Sequence, residues 1–383
     1  MNNIKQNLLK LIISFCCLMI ISGCESTGGT TSAKKSTGGG NITQVAILVP
    51  LSGENEIIGK QYAGVIKMGL GSGAKSKIKV TTYDSADELK LKESLKKILD
   101  QKTNIIIGPI YSRDTKIAAS QIKGRDIIML SLSNDPTLAD TNVLVFGHAP
   151  MRQMEQMTSY LLDNEYKNFI TLLPAGRHSQ TISKVIQNMI VSKDGTLSRM
   201  EFYNNSDEEL AKSVNIVSDA VDIMNEQEEN LKQPVVLVGD DPENLKRIYK
   251  IAKALNLDKK AVIAGDNRLD IDFGEPFDIT YTGSIKIDNG NLKQKAAAFG
   301  VNHFSFMHAL AYDAGNIVAS LVGPHYNKTA LLLKLNSREK FQGLSGDVHF
   351  IDSIAMRQYE IIKKHNGAYS VMNGEERKEE AAE

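Results

Sequence analysis

Short runs rich in β-branched and aliphatic residues alternate along the chain with longer segments whose apolar positions recur every three or four residues. The first runs are Val45–Val49, Ile78–Tyr83, Asn104–Ile107 and Ile127–Leu130, each followed closely by a Pro, Asp, Gly or Ser turn. Their length and their turn-forming borders predict strands. After the second run, Leu91, Leu95, Ile98 and Leu99 share one helical face, and Ser85 with Glu88 predicts a capping box at the helix start. The rhythm restarts after Pro150 with Phe169–Leu173, Leu197–Phe202, Val235–Val238 and Ala261–Ala264. Between these, Ile182, Val185, Ile186, Met189 and Ile190 stripe one helix, and Leu210, Val214, Val217, Val221 and Met224 stripe another. Alternation of this kind predicts an α/β protein of two Rossmann-like lobes, each a parallel sheet with helices on both faces. A ligand cleft is then expected between the carboxyl ends of the two sets of strands.

The ends of the chain follow different rules. Lys5 and Lys10 precede an eleven-residue, mainly apolar run, Leu11–Ile21, which is too short to span about 30 Å of hydrocarbon but suits a signal-peptide core. Ile21-Ser22-Gly23-Cys24 resembles a bacterial lipobox, in which the cysteine is lipidated and becomes the new N-terminus; the alternative is a plain secretory signal. All three cysteines, Cys16, Cys17 and Cys24, lie in this region, so the folded body is expected to hold neither a disulfide framework nor a cysteine-ligated metal. Residues 25–41, rich in Gly, Ser and Thr, predict a flexible tether with a reach of about 23 Å. Residues 373–383 predict a frayed, charged tail. In lipoproteins of Gram-negative type an aspartate after the cysteine signals inner-membrane retention. Glu25 in that position favours the outer membrane, facing the periplasm, over the inner membrane or the cell surface.

Charge removes one class of partner. Lys plus Arg and Asp plus Glu are equal in number, and loss of Lys5 and Lys10 with the leader leaves a net charge of −2, so no basic field is available for nucleic acid. Enzyme motifs fail on context. Gly69-Leu-Gly-Ser-Gly-Ala-Lys75-Ser76 ends a helix rather than following a strand, His303 and His308 are five apart, and neither HExxH nor GxSxG occurs. No catalytic residue, metal site or cofactor is expected.

Val45-Ala-Ile-Leu-Val-Pro-Leu-Ser52-Gly53, with Gly59 and Gly64 after it, resembles the opening of the type I, leucine-binding periplasmic binding proteins. Further matches are Ile105-Ile-Ile-Gly108-Pro109, Leu130-Ser131-Leu132-Ser133-Asn134-Asp135, Val145-Phe-Gly147-His-Ala-Pro150, Ala311-Tyr312-Asp313-Ala314 and Phe341-Gln-Gly-Leu-Ser-Gly346. Ser-Asn-Asp after the fourth strand and Gly147-x-x-Pro150-x-x-Gln153 are similar to the penicillin-binding-protein activator, LppC-like branch. The resemblance implies the type I binding-protein fold, with lobe one at 43–149 plus 284–338, lobe two at 150–283 plus 339–372, and crossovers acting as a hinge. It implies two kinds of partner besides the membrane reached through lipid on Cys24: a peptidoglycan synthase, or the permease of an ABC importer for branched-chain or other amino acids. The best-known activators carry an N-terminal helical repeat domain where this chain has the tether.

Within the expected cleft, Ser52, Gly53, Ser131, Ser133 and Asn134 lie at strand ends where hydroxyls and free N–H groups can meet a small polar ligand's carboxylate. Ser131 and Ser133 can equally be strand-terminating residues. Asp240 and Asp266 follow two second-lobe strands and can receive an ammonium group, although Asp before Pro242 is also a helix-start signal. Amino-acid receptors commonly present an aromatic-glycine pair after the first strand of lobe two, where this chain has Leu173-Pro-Ala-Gly176-Arg177-His178.

Overall fold

Strand β1 (Thr43–Val49) points its residues alternately to two apolar layers, and the rest of the first lobe is built around that alternation. Val45, Ile47 and Val49 pack on one side of the sheet, Ala46 and Leu48 on the other. Burial on both faces explains why the strand reads as a continuous apolar run. The computed structural model describes residues 42–73, 78–227, 232–287, 290–322, 326–337, 339–365 and 368–372. Cys24, the tether and the tail lie outside these residues.

After β1 come α1 (Glu56–Gly73), β2 (Ile78–Asp84), α2 (Glu88–Asp100), β3 (Ile105–Ile107), α3 (Ser112–Ile122), β4 (Ile128–Ser131) and β5 (Val143–Val145). The second lobe runs α4 (Pro150–Asp163), β6 (Asn168–Pro174), α5 (Arg177–Ser192), β7 (Thr196–Tyr203), α6 (Asp207–Gln227), β8 (Val235–Val238), α7 (Pro242–Ala254), β9 (Val262–Gly265) and β10 (Ile279–Gly283). The chain returns to the first lobe for α8 (Gly290–Ala297), α9 (Phe306–Leu321), α10 (Lys328–Leu335) and the hairpin β11 (Val348–Ile351) and β12 (Ile354–Arg357). It finishes in the second lobe with β13 (Glu360–His365) and β14 (Ala368–Val371). Each lobe is a seven-stranded mixed sheet, ordered β11-β12-β5-β4-β3-β1-β2 in the first and β14-β13-β10-β9-β8-β6-β7 in the second. This is the type I periplasmic binding-protein fold.

Two expectations need correction. Residues 339–357 belong to lobe one, because β12 pairs with β5 and the buried Val348, Phe350 and Ala355 complete the first core. Phe350 lies 6.0 Å from the Phe146 ring, a long-range contact that local periodicity does not report. The start of α2 is capped by Asp87, whose side chain accepts from the Lys90 N–H, whereas the Ser85 hydroxyl is buried without a partner.

All three crossovers, 146–149, 284 and 358–359, join the carboxyl edge of one sheet to that of the other. The first leaves the end of β5 and enters α4, the second leaves the end of β10, and the third runs from β12, parallel to β5, into β13, antiparallel to β10. The cleft therefore lies between the two carboxyl edges.

Candidate functional site

The first-lobe wall of the cleft gathers Ser52, Gly53, Ser131, Ser133 and Asn134, as the sequence suggested, but places the loop after β3 between the two groups. Gly53 holds φ +71°, a left-handed turn that lets its carbonyl accept from the Glu56 N–H as α1 begins. The Ser52 hydroxyl donates to Asp84 Oδ2 at 2.6 Å and accepts from Lys90 Nζ at 2.5 Å. Asp84 also accepts from the Leu51 and Ala86 N–H groups, and these bonds outweigh burial and hold its carboxyl below the ordinary range.

Ser131 and Ser133 are both buried and both occupied. Ser131 Oγ lies 2.8 Å from Thr115 Oγ1 and accepts from the Ser133 N–H; Ser133 Oγ lies 2.9 Å from Ser112 Oγ and accepts from the Asp135 N–H. Neither hydroxyl is left aimed at solvent. Gly53, Asn134 and Tyr111 are exposed on this wall. The sequence did not single out Ser112 or Tyr111, although both follow a proline at a strand end, Pro109, as Ser52 follows Pro50.

On the opposite wall, β8 and β9 are neighbours, which brings Asp240 and Asp266 together. Asp240 accepts from the Tyr203 hydroxyl at 2.5 Å. Asp241 is the helix cap, accepting from the Glu243 and Asn244 N–H groups. Asp266, fully buried, is held by the Arg268 guanidinium at 2.6–3.0 Å and by the Arg268 N–H. Burial works against the Arg268 charge, but Asp266 and, secondarily, Asp240 overcome it and raise the guanidinium pKa. Tyr203 is pushed up by burial and then by Asp240. Arg268 and Tyr203 were not legible as site residues, since one follows Asp266 by two positions and the other closes an ordinary strand.

The floor of the cleft is the hinge itself. Arg357 donates to the Phe146 and Gly147 carbonyls at 2.9 and 3.0 Å and stacks 4.2 Å over the Phe146 ring, so the third crossover grips the first. Its Nε reaches Ser345 Oγ, which donates to Asp313. His148, half-buried beside this grip, is pushed down to about 4 by burial first, Asp266 opposing and Arg268, Arg357 and His178 assisting. The Gln156 amide clamps Tyr359 through both backbone groups. Gln153 accepts from the Asn267 N–H and the Thr282 hydroxyl, binding α4 to its own sheet. A polar cavity of about 300 Å³ opens beside the hinge, lined by Gln156, Lys286, Asp347 and Gln358 among others.

Chemically, the cleft holds hydroxyls bonded to one another and carboxylates bonded to cations or to Tyr203. Among the described residues no three His, Cys, Asp or Glu side chains converge as metal ligands, and no helix is long and apolar enough to cross a membrane.

No family model matches the sequence. Over 371 residues, 96% of this chain and 98% of the other, it is 42% identical to the uncharacterized protein RP748 of Rickettsia prowazekii. The chain belongs to that protein's family. Structural neighbours of this RP748-family chain are type I periplasmic binding proteins and the lipoprotein LpoA. A Rhodospirillum rubrum protein described as a branched-chain amino acid ABC transporter superposes with a TM-score of 0.71 at 12% identity, covering 87% of this chain and all of that one. The leucine-binding protein LivK of Thermotoga maritima gives 0.63 at 14%, covering 87% and 98%. Full-length LpoA of Haemophilus influenzae gives 0.62 at 15%, covering 87% of this chain but only 59% of LpoA. At these identities the likeness concerns the fold, and the chain spans well under two thirds of LpoA.

Proposed function

We propose that this protein is a lipid-anchored periplasmic lipoprotein, attached through Cys24, which uses a binding-protein fold without enzymatic chemistry to regulate a peptidoglycan synthase. The reading rests chiefly on the spent hydroxyls of the cleft: Ser52, Ser131 and Ser133 already hydrogen-bond within the chain. Asp266, the group positioned for an ammonium, is neutralised by Arg268. A small polar ligand would have to break these bonds, each of net value about 1 kcal/mol, before gaining any of its own. A protein partner using the outer surface breaks none of them. The lipobox and Glu25 support placement at the outer membrane, and the LpoA-like fold supports a synthase as partner. The test is recovery of a synthase from solubilised envelopes with the full-length protein, followed by a transpeptidase assay with and without it. Recovery with stimulation supports the role; no synthase and unchanged activity defeat it.

A second reading, the substrate-binding lipoprotein of an ABC importer for amino acids, is favoured by the hinge of three crossovers that opens onto Arg268, a guanidinium suited to a carboxylate. A ligand at 100 times its dissociation constant raises stability by about 2.7 kcal/mol. Thermal melting with leucine, other amino acids and peptidoglycan fragments separates the two readings, and flat curves throughout remove the receptor.

A further inference from the structure

The two ends of lobe one differ in how their cations are used. At the cleft edge Lys60, Lys90, Lys92 and Arg113 each pair with a carboxylate: Glu56, Asp84, Glu88 and Asp114 respectively. At the opposite end the strand N-termini gather. Gln44 and Asn104 exchange hydrogen bonds, Ile128 N–H donates to the Asn104 carbonyl, and Lys328 Nζ reaches both the Arg125 carbonyl and Asn142 Oδ1 at 2.7 Å. Around this end stand Lys79, Lys97, Lys102, Lys123 and Arg125, all exposed, and none pairs with a carboxylate among the described residues. Asp100, Asp126 and Asp140 are the acids there, so the end is net basic.

Helix-end electrostatics accounts for part of this. Lys97 and Lys123 complement the partial negative charge at the ends of α2 and α3, and Arg125 Nε donates to the Gln121 carbonyl at 2.9 Å. Lys102 follows the cap of α2 and stands at the same helix end, its own N–H donating to the Leu99 carbonyl, whereas Lys79 lies on a strand with no helix end to serve.

Ile42, half exposed, marks where the segment after Cys24 enters the fold, at the same end, at the head of the strand beside the edge strand β2. We propose that this basic end of lobe one seats on an anionic phospholipid surface. The proposal rests on lipid attachment at Cys24. Residues 24–41 then reach about 23 Å, little more than two Debye lengths at 0.1 M salt. The lipid keeps this end near the headgroups, and unpaired cations so placed gain from a negative surface. Seating directs the cleft edge away from the membrane, which leaves the outer faces of both lobes open to a partner.

The test uses full-length lipidated protein in vesicles of neutral phosphatidylcholine and in vesicles with about 30% phosphatidylglycerol, followed by amide hydrogen exchange. Residues 97–104 and 121–128 are expected to exchange about tenfold more slowly on the anionic vesicles, with residues 207–227 unaffected as the internal control. The slowing disappears at about 0.5 M salt, where the Debye length is near 4 Å. It disappears also in Lys97→Glu/Lys123→Glu/Arg125→Glu, whose melting curve reports its folding, while the salt titration on the unaltered chain needs no variant. Equal exchange on both vesicle types at low salt, with the protein floating on both, overturns the seat and leaves the anchor standing. Failure to float on neutral vesicles overturns the anchor and the seat with it.

Discussion

Ser345 donates both its backbone N–H and its hydroxyl to the buried carboxylate of Asp313, at 2.7 and 2.6 Å, and the adjacent Leu344 N–H donates to the other oxygen at 2.7 Å. Helix α9 is thereby tied to the turn that precedes β11, and through Ser345 Oγ to Arg357 in the hinge. Burial raises the Asp313 carboxyl, opposed by these donors and by Arg357. Asp313→Ala strands three donors, two of them buried, and should lower stability by about 3 kcal/mol, measured as a urea-midpoint shift at unchanged m value. An unchanged midpoint would show that the turn does not depend on the carboxylate.

A close helix crossing gives the second prediction. A Cβ on Gly69 would lie 2.1 Å from the Tyr312 carbonyl oxygen, and one on Gly315 would lie 2.3 Å from that of Ile66. Backbone cannot yield as a side-chain tip can. Gly315→Ala should therefore cost about 3 kcal/mol or more, whereas Gly124→Ala, which meets open space, loses only what its φ of +73° imposes. Parallel thermal melts of the two variants check the contrast.

Acid sensitivity should come from two imidazoles, the buried His308 and the half-buried His148. His308 accepts from the Ser305 N–H in a capping box, and burial first, then His303, pushes it down to about 4 from 6.5. The unfolded chain takes up this proton more readily than the folded one. Stability is therefore complete above pH 6.5 and falls as the pH drops from 6.5 towards 4, by about 3 kcal/mol for His308. His148, lowered to about 4 as well, adds a loss of the same sign over the same window. His308→Gln keeps an acceptor at the cap and should remove part of the slope. Urea titrations at pH 7, 6 and 5 for both proteins decide it, and identical slopes would rule the capping histidine out.

The paired serines give the fourth prediction. Ser133→Ala removes the bond to Ser112 and the acceptor for the Asp135 N–H, and should lower stability by about 1 kcal/mol. If the cleft serines are structural, saturating leucine leaves the melting temperature of both native protein and variant unmoved. A shift in the native protein that the variant loses would restore the receptor reading.

Much of the fold was legible because it is written in local period. Val45–Val49 and Val235–Val238 announce themselves by apolar runs, and the stripe of Leu91, Leu95 and Ile98 by helical spacing. The hairpin Val348–Arg357 was misplaced because its lobe is decided by pairing with β5, some 200 residues earlier, and by a stacking partner, Phe146. Motif matching found Asp313 and Ser345 separately without revealing that they are one contact. In the cleft, Ser52, Ser131, Ser133, Asp240 and Asp266 lie at the strand ends that residue type pointed to. Residue type could not say that their polar groups were already taken, since the partners Asp84, Thr115, Ser112, Tyr203 and Arg268 come mostly from other strands and turns.

Tyr359 belongs to both lobes. Its ring packs in the first core, 5.9 Å from Phe306, while its backbone N–H and carbonyl are held by Gln156 of the second. Two residues earlier, Arg357 is fastened to the first crossover at Phe146 and Gly147. A residue pinned on both sides resists sliding, so relative motion of the lobes reduces to rotation about an axis through Tyr359. The adjoining Gln358, between these two anchored residues, is the link that must twist.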